Sequence, residues 1–394
     1  MRISILCLCL LFAGLTSQAK TEKVPPGKKM VKQVSLVLRN QILEEAAWAL
    51  MQLPVTVTAQ ISPRSAGGKN DFFSEGDYWW PDPENSNGPY IQKDGMTNPD
   101  NFVAHRHAMI RFSKIIGALA SAYKLTGNDK YVRHALVHLK AWFVDAETLM
   151  NPNLLYAQAI KGRFTGRGIG IIDTIQLMEV AQGILVMEGS KAMNKGALTA
   201  MKNWFSQYLN WLTTHPYGQA EMNAENNHST CWVMQVASFA KLTRNNELLD
   251  FCRDRYKTVL LPSQMGADGG FPRELKRTKP YGYSLFNLDA MTMVCLILTD
   301  KDNDLWSFQL SDGRSIKKGL EFLYPYVADK SKWSYPKDVM YWENWPVAHP
   351  FLVFGANAFN NKDWLSTWEK LDHYPQVEEV IRNLPVRHPL IWLN

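Results

Sequence analysis

Apolar residues recur with the period of an α-helix along most of this chain, and this pattern restricts the possible folds more than any other feature. After Ala108 they lie three or four positions apart, on one face of a helix: Phe112, Ile115, Ile116, Leu119 and Tyr123. Gly127 then stands where a helix ends, and Asn128 where a capping residue starts the next helix. The sequence therefore predicts helix following helix.

The helix boundary at residues 123–128 has a second copy at residues 240–245. The two segments read Tyr-Lys-Leu-Thr-Gly-Asn and Ala-Lys-Leu-Thr-Arg-Asn. A repeated helix end, tight turn and helix start is typical of stacked helix pairs, although two unrelated turns can share Thr-x-Asn by chance. We expect an all-α fold, an (α/α) toroid or incomplete barrel of antiparallel helix hairpins with long rim loops.

The same periodicity and capping signals predict most of the remaining elements. Further helices are expected at 34–52, 130–143, 172–188, 193–213, 230–242, 246–260, 284–299, 314–325 and 363–371. The long segments between them are rich in Gly, Pro, Asn and Asp, namely 61–104, 262–283 and 328–350. Loops of this length and aromatic content favour a binding rim. No linker divides the chain, so residues 20–394 are expected to form one domain.

The N-terminus has the three parts of a secretory signal peptide. Arg2 supplies the positive charge, residues 3–11 the apolar core, and residues 16–19 a small-residue cleavage site. The alternative is a buried N-terminal helix. We expect residues 1–19 to be removed and the protein to be secreted or periplasmic. After residue 19, we expect no stretch to approach the roughly 20 apolar residues of a membrane span.

Composition narrows the class of partner. Hydrophobic residues make up 46% of the chain, enough for a large core, and the formal net charge of +6 suits an acidic partner. No run of five or more Lys and Arg residues occurs, which argues against nucleic acid. The 14 tryptophans suit stacking on sugars. An acidic polysaccharide is therefore the expected partner, and the oligomeric state stays open.

Metal ligands are not evident in the sequence. Cys231, Cys252 and Cys295 lie in apolar, apparently helical segments and are expected to be buried free thiols. His105 and His107 are two residues apart, so a helix would not direct both at one ion. We expect no metal and no cofactor.

The motif Asn226-Asn227-His228-Ser229 stands just before a predicted helix. Free backbone N–H groups and the positive end of the helix dipole favour a carboxylate at such a position. Alternatively, Asn227 or Ser229 only caps the helix and His228 is a surface residue.

Arg277 and Tyr283 belong to a Gly- and Pro-bearing segment before the next helix. Arg277 is a candidate for charge stabilisation, but it can also pair with Glu274 or Asp289. Tyr283 is a candidate acid or base, or simply an aromatic residue at the rim.

Aromatic, amide and basic side chains in the other loops are candidate sugar contacts. Alternatively, Trp79 and Trp80 both pack in the core, and Arg167 pairs with Asp173 or Glu179. The candidate substrate-binding residues are Trp79, Trp80, Tyr156, Gln158, Arg163, Arg167 and Tyr281.

These motifs together resemble the alginate lyase superfamily, whose helical-toroid members include polysaccharide lyase families 5 and 38. The likeness is in Asn-Asn-His-Ser-x-x-Trp at 226–232, Glu-Leu-x-Arg at 274–277 and the later Tyr283, and it extends from about Asp77 to Leu288. The six-residue step from Arg277 to Tyr283 resembles family 38, which also admits glucuronan as substrate.

The resemblance implies a role for each of four residues. Asn227 and His228 match the carboxylate-neutralising and base positions, Arg277 the position that activates the tyrosine, and Tyr283 the catalytic phenol. The implied reaction is metal-independent β-elimination on a 4-linked uronic acid polymer such as alginate. A nearby guanidinium favours a phenolate, so we expect Arg277 to lower the pKa of Tyr283.

Two other classes of function stay open at the level of sequence. A glycoside hydrolase needs two facing carboxyl groups, and its candidates are Asp77, Asp82, Asp173 and Asp268. A glycan-binding protein without activity would use the tryptophans and basic residues alone.

Overall fold

The computed structural model describes residues 26–394, so the predicted signal peptide at residues 1–19 lies outside it. Within that part of the chain, fifteen α-helices and four short strands follow one another. The helices are Pro26–Ala49 (α1), Ala104–Thr126 (α2), Asp129–Phe143 (α3), Leu177–Met187 (α4), Lys195–Thr214 (α5), Pro216–Met222 (α6), Asn227–Thr243 (α7), Asn246–Arg255 (α8), Leu261–Gln264 (α9), Pro272–Leu275 (α10), Pro280–Leu298 (α11), Ile316–Ala328 (α12), Pro350–Phe359 (α13), Lys362–Lys370 (α14) and Glu378–Arg382 (α15). The strands are Phe73–Glu75 (β1), Trp79–Trp80 (β2), Ile91–Gln92 (β3) and Tyr156–Ala159 (β4).

The helices form two concentric layers. In the inner layer α2 packs on α4, α4 on α7, α7 on α11, and α11 on α13. In the outer layer α3 packs on α2, α5 and α8 on α7, α12 on α11, and α14 on α13. Helix α1 contacts both α13 and α2 and so joins the two ends of the inner series. This arrangement confirms the predicted (α/α) toroid.

The sequence repeat corresponds to two equivalent helix turns. α2 and α7 both end on a left-handed residue, Gly127 with φ 68° and Arg244 with φ 59°. Asn128 and Asn245 then accept hydrogen bonds from backbone N–H groups and cap α3 and α8. The repeat thus marks the same corner in two helix hairpins, α2–α3 and α7–α8, as predicted.

Four of the inner helices, α2, α4, α7 and α11, run in the same direction. Their C-terminal turns line one cavity, which Lys124 and Lys241 of the repeat both enter. The first turns of α7 and α11 and the 3-10 turn Gly168–Thr174 before α4 meet at the other rim, where Arg106 in the first turn of α2 contacts Asp77. Positive helix ends therefore point toward one side of the toroid, while lysines face the negative ends on the other.

Helix α11 is long and apolar enough to cross a membrane by composition alone, which the sequence analysis did not recognise. In the structure it packs between α7 and α13, and nearly all of its residues are buried. It is therefore the central core helix. Cys231, Cys252 and Cys295 are buried and free, as predicted.

The sequence prediction missed the strands and several helices. Helix α13 is the most important omission, because it belongs to the inner layer. It is apolar on almost every side and so shows no helical period, which requires a polar face. The predicted loop at 61–104 contains three short strands, of which β1 pairs with β4 in parallel and β2 with β3 in antiparallel register.

His388 connects the C-terminal segment to the inner helices. Its Nδ1 lies 3.0 Å from Glu179 Oε2 and its Nε2 lies 3.4 Å from Glu45 Oε2, with all three side chains buried. The ring rests against Gly117, where a Cβ atom would lie only 2.2 Å from Nδ1. Burial alone would lower the pKa of His388, but the carboxylates of Glu179 and Glu45 raise it to about 9.

We expect the free energy of unfolding to decrease as the pH rises through about 9, where His388 loses its proton. The pKa of His388 in the folded protein is above its ordinary value of about 6.5. The protonated ring therefore stabilises the fold fully below about pH 6.5, by roughly 3 kcal/mol. Urea unfolding of wild type and His388→Gln at about pH 6 and pH 10 measures this contribution. The difference in the free energy of unfolding between the two proteins should be large at about pH 6 and smaller at about pH 10.

His107→Gln is the matched control, since His107 pairs with Glu378 in a half-exposed ion pair. An exposed pair contributes about 1 kcal/mol or less. A difference between wild type and His388→Gln that did not change with pH would contradict the assignment.

Candidate active site

A cleft of about 670 Å³ opens at the rim where the helix N-termini meet. Asn227 and His228 line it from the first turn of α7, Arg277 from the loop after α10, and Tyr283 from the first turns of α11. The four residues that sequence reasoning selected as catalytic are therefore brought together in one cleft.

Asn227 is held in place by a buried carboxylate. Its backbone N–H donates to Glu274 Oε1 at 2.8 Å, and its side-chain amide donates to Glu274 Oε2 at 2.9 Å. Burial raises the pKa of Glu274 although both bonds from Asn227 oppose that shift. The amide nitrogen has a second hydrogen, so it can also donate a hydrogen bond to a ligand in the cleft.

His228 is oriented by a second buried carboxylate. Its Nδ1 lies 2.7 Å from Oε1 of Glu221, whose side chain is fully buried in α6. This contact leaves Nε2 for the cleft. Burial alone would lower the pKa of His228, but the charges of Glu221 and then Glu274 raise it above its usual value. The shift favours the cationic form of the ring.

Arg277 bridges an acidic residue and the candidate phenol. Its Nη2 and Nε donate to the two oxygens of Asp94 at 2.7 and 3.2 Å. The same Nη2 lies 3.5 Å from the Tyr283 hydroxyl, and the guanidinium carbon lies 4.5 Å from the centre of that ring. Sequence reasoning named Glu274 and Asp289 as possible partners of Arg277, but the ion pair is with Asp94.

The Tyr283 hydroxyl donates a hydrogen bond to the Tyr78 hydroxyl at 2.8 Å. Burial and then Tyr78 raise the pKa of Tyr283 well above its usual value, and Arg277 only partly offsets them. We expected Arg277 to lower this pKa overall. The sequence could not reveal how deeply the phenol is buried, nor that a second phenol lies beside it.

Five charged residues form a continuous, largely buried series at the floor of the cleft, which we call the charge chain: Arg106, Asp77, Arg382, Glu379 and Lys279. Arg106 and Arg382 contact the two oxygens of Asp77 at 2.9 and 2.8 Å. Arg382 Nε lies 3.2 Å from Glu379 Oε2, and Lys279 contacts the other oxygen of Glu379. The two arginines keep the pKa of Asp77 below its usual value despite its burial.

Three of the predicted sugar contacts line the cleft: Trp79, Gln158 and Arg167. Arg167 donates to the carbonyl and the side-chain oxygen of Gln158, and it forms no ion pair within residues 26–394. Burial lowers the pKa of Arg167 to about 10, as expected for a cation without a bound anion. Arg163 stacks over Trp79 at 5.3 Å, and Gly76 makes room, since a Cβ there would lie 2.7 Å from the indole.

Of the remaining four predicted contacts, Arg163 reaches the cleft only through Trp79, and Trp80, Tyr156 and Tyr281 lie elsewhere. Trp80 faces away from Trp79, donates to the Met96 carbonyl and carries Lys93 over its ring. Tyr156 belongs to β4 and is not among the cleft-lining residues. Tyr281 is fully buried and donates to a backbone carbonyl 3.0 Å away, so the structure argues against it as a substrate contact.

Sequence reasoning missed the residues that hold the catalytic groups in place. Asp94 and Glu221 gave no local signal, because each meets its partner only through the fold. Tyr78 stood inside the aromatic segment at residues 77–83 but was not separated from its neighbours. Arg382 lies outside the part of the chain where motifs were recognised.

Comparison with known proteins agrees with this fold. A model of the alginate lyase family matches residues 56–333. A solved alginate lyase from Bacteroides ovatus is 31% identical, with 93% of this chain and 97% of that chain covered and a TM-score of 0.80. The comparison with curated proteins gave no match.

More distant structures share the fold. Alginate lyase A1-III from Sphingomonas species A1 is 16% identical over 83% of this chain and 89% of that chain, with a TM-score of 0.54. A variant of A1-III complexed with a tetrasaccharide is 17% identical over 87% and 90%, with a TM-score of 0.57. The family model covers well over half of the chain and the Bacteroides ovatus structure nearly all of it, so the chain belongs to the alginate lyase family.

Proposed function

We propose that this polysaccharide lyase cleaves alginate by metal-independent β-elimination. The observation that carries the proposal is the meeting of Asn227, His228, Arg277 and Tyr283 in one cleft at the positive ends of the inner helices. An amide, an imidazole, a guanidinium and a phenol are the groups that elimination beside a carboxylate requires. The tetrasaccharide-bound relative supports an acidic polysaccharide as substrate.

The first task is to neutralise the uronate carboxylate, because the proton at C5 beside it is only weakly acidic. The second N–H of the Asn227 amide and the imidazolium of His228 are available for this. Glu274 and Glu221 hold both donors before substrate arrives, so little reorganisation is needed as charge develops.

The second task is proton transfer, which we assign to Tyr283. As a base, Tyr283 first passes its proton to Tyr78, the acceptor of its hydrogen bond, as Tyr78 releases its own hydroxyl proton to water in the cleft, while Arg277 stabilises the Tyr283 phenolate. The phenolate then takes the C5 proton and returns a proton to the departing O4 oxygen. One residue can do both when proton and leaving group are on the same face, as in mannuronate.

Guluronate presents the proton and the leaving group on opposite faces. There we propose that neutral His228 removes the C5 proton and that Tyr283, which holds its own proton firmly, supplies it to O4. In both cases the product is an unsaturated 4-deoxy sugar at the new non-reducing end.

Neighbouring sugars are proposed to bind along Trp79, Arg163 and Arg167. The indole offers a face for stacking, and Arg167 is a half-buried cation with no acidic partner in the described part of the chain. A second uronate carboxylate would supply that partner.

The electrostatics of the cleft oppose a hydrolase. Asp77 and Asp94 line the cleft, but each is paired with arginine and has a lowered pKa. A glycoside hydrolase requires one carboxyl group that keeps its proton. The acidic residues at this position are therefore suited to holding arginines and not to protonating a glycosidic oxygen.

Two finer assignments rest on the sequence. The six-residue step from Arg277 to Tyr283 supports family 38, which keeps glucuronan as the alternative substrate. The segment at residues 1–19 supports export to the periplasm or the medium.

The function is tested by digesting polymannuronate, polyguluronate and glucuronan side by side while ultraviolet absorbance is recorded. The conjugated double bond of the product should raise the absorbance with at least one alginate block. New reducing ends without any absorbance would indicate a hydrolase, and no product from any uronan would contradict the proposal.

Tyr283→Phe should lower kcat by about 10²–10⁴-fold on polymannuronate, the usual contribution of a general acid–base group. The matched control is Tyr281→Phe, which also removes one phenolic hydroxyl but lies in the core. That control should cost about 1 kcal/mol of stability from a lost hydrogen bond and leave kcat within a few-fold of wild type. Equal activity of the two variants would exclude Tyr283 as the proton carrier.

Glu221→Gln should shift the pH dependence of kcat/KM, because the charge of Glu221 raises the pKa of His228. With that charge removed, the pKa of His228 falls. On polymannuronate, where His228 acts as a cation, the alkaline limb should move to lower pH. On polyguluronate, where neutral His228 is the base, the acid limb should move to lower pH.

Glu225→Gln is the control for this experiment, since Glu225 is an exposed residue that pairs with Arg273. Its pH profiles should match those of wild type. Unshifted profiles for Glu221→Gln on both substrates would rule out the proposed roles of His228.

A further inference from the structure

A second cluster of nitrogen and oxygen atoms lies away from the cleft, between outer helix α3 and the segment that follows α1. His134 and His138 are four residues apart on α3, so they share one face of the helix. Their Nε2 atoms are 3.3 Å apart. Both lie close to the backbone carbonyl oxygen of Gln52, at 3.1 Å from His134 and 3.2 Å from His138.

Hydrogen bonding alone does not satisfy this triangle. If both Nε2 atoms carry a proton, two donors only 3.3 Å apart converge on one oxygen, although the two lone pairs of a carbonyl oxygen are widely separated. If only one carries a proton, the bare nitrogen of the other ring faces the carbonyl oxygen lone pair to lone pair. In either tautomeric state, one close contact is repulsive.

We propose that His134, His138 and the Gln52 carbonyl oxygen bind a divalent transition-metal ion of the Zn²⁺, Ni²⁺ or Cu²⁺ class. Ligand atoms about 2.0–2.1 Å from a tetrahedral ion are roughly 3.3 Å from one another. The three measured separations agree with one face of such a tetrahedron. The ring centroids are 5.1 Å apart, close to the roughly 5.2 Å expected of two imidazoles that share an ion through Nε2.

The surroundings prepare the ligands and also limit the affinity. Burial, His134 and Arg111 lower the pKa of His138 to about 4, so its ring is neutral, as a metal ligand must be. The Gln52 side chain is fixed by Arg111 and by the Trp48 carbonyl, which orients its backbone. The guanidinium of Arg111 also repels a cation, so we expect a modest affinity, with water as the fourth ligand.

Residues 26–394 contain no group of three or more His, Cys, Asp and Glu side chains around one point. This cluster has only two such side chains, and its third ligand belongs to the main chain. From the sequence, no residues were expected to have the spacing of metal ligands. His134 and His138 revise that prediction, because they are four residues apart, at positions i and i+4 of a helix. A bound ion would connect α3 to the end of α1 and so stabilise the outer layer, with no part in the elimination reaction.

The test is calorimetric titration of ZnCl₂ into the purified full chain without a polyhistidine tag. We expect one equivalent to bind and the unfolding midpoint to rise with Zn²⁺, as linkage requires. His134→Gln should weaken binding by more than roughly 100-fold, since losing a ligand costs more than losing the partner of one. His134 is partly exposed, so this variant should keep its fold, which far-ultraviolet circular dichroism checks.

His107→Gln is the control. His107 is also an accessible histidine, but it lies on α2 and is not one of the proposed ligands, so its loss should leave Zn²⁺ binding unchanged. Activity on alginate without added metal should be the same in all three proteins. Wild type that bound no Zn²⁺ at millimolar concentration, or a His134→Gln variant that bound as tightly as wild type, would overturn the proposal.

Discussion

The charge chain is the interaction on which the geometry of the cleft depends. The two arginines stabilise the buried, ionised Asp77, and Asp77 is in turn the ion-pair partner of Arg106, whose buried charge would be costly without it. The residues that follow Asp77 are Tyr78 and Trp79, so this ion pair sets where the second phenol and the stacking surface lie. At the other end of the series, Lys279 stands at the start of α11, which carries Tyr283. The two phenols are therefore brought together through paired charges.

The direction of the inner helices gives the toroid two electrically different rims. Helices α2, α4, α7 and α11 direct their positive ends toward the rim of the cleft and their negative ends toward the opposite face. Lys124 and Lys241 occupy the negative face at equivalent positions of the repeat, where they offset the exposed carbonyl dipoles. The architecture thus favours an acidic polymer at the cleft before any single side chain is considered. The four proposed catalytic side chains refine a preference that the backbone already has.

Sequence reasoning succeeded where a signal was local and failed where the partner was distant. Helix periodicity and the caps at Asn128 and Asn245 identified the toroid, and the motifs of the proposed catalytic residues lie at or just before helix starts, which are also local features. Helix α13 escaped because a helix buried on all sides has no polar face. The pKa of Tyr283 was misjudged because it depends on burial and on Tyr78, neither of which can be read from neighbouring residues. Glu221 and Asp94 were missed for the same reason.

The sequence separation between Asp77 and Arg382 has a consequence for how the protein matures. The ribosome makes Asp77 early, whereas the arginine that completes its pairing comes 305 residues later, shortly before His388. Most of the ring can therefore be synthesised while the floor of the cleft is still incomplete. A chain that stopped before Arg382 would contain all four proposed catalytic side chains and lack the frame that aligns them. The cleft thus becomes aligned only after residues 379–382 have been made.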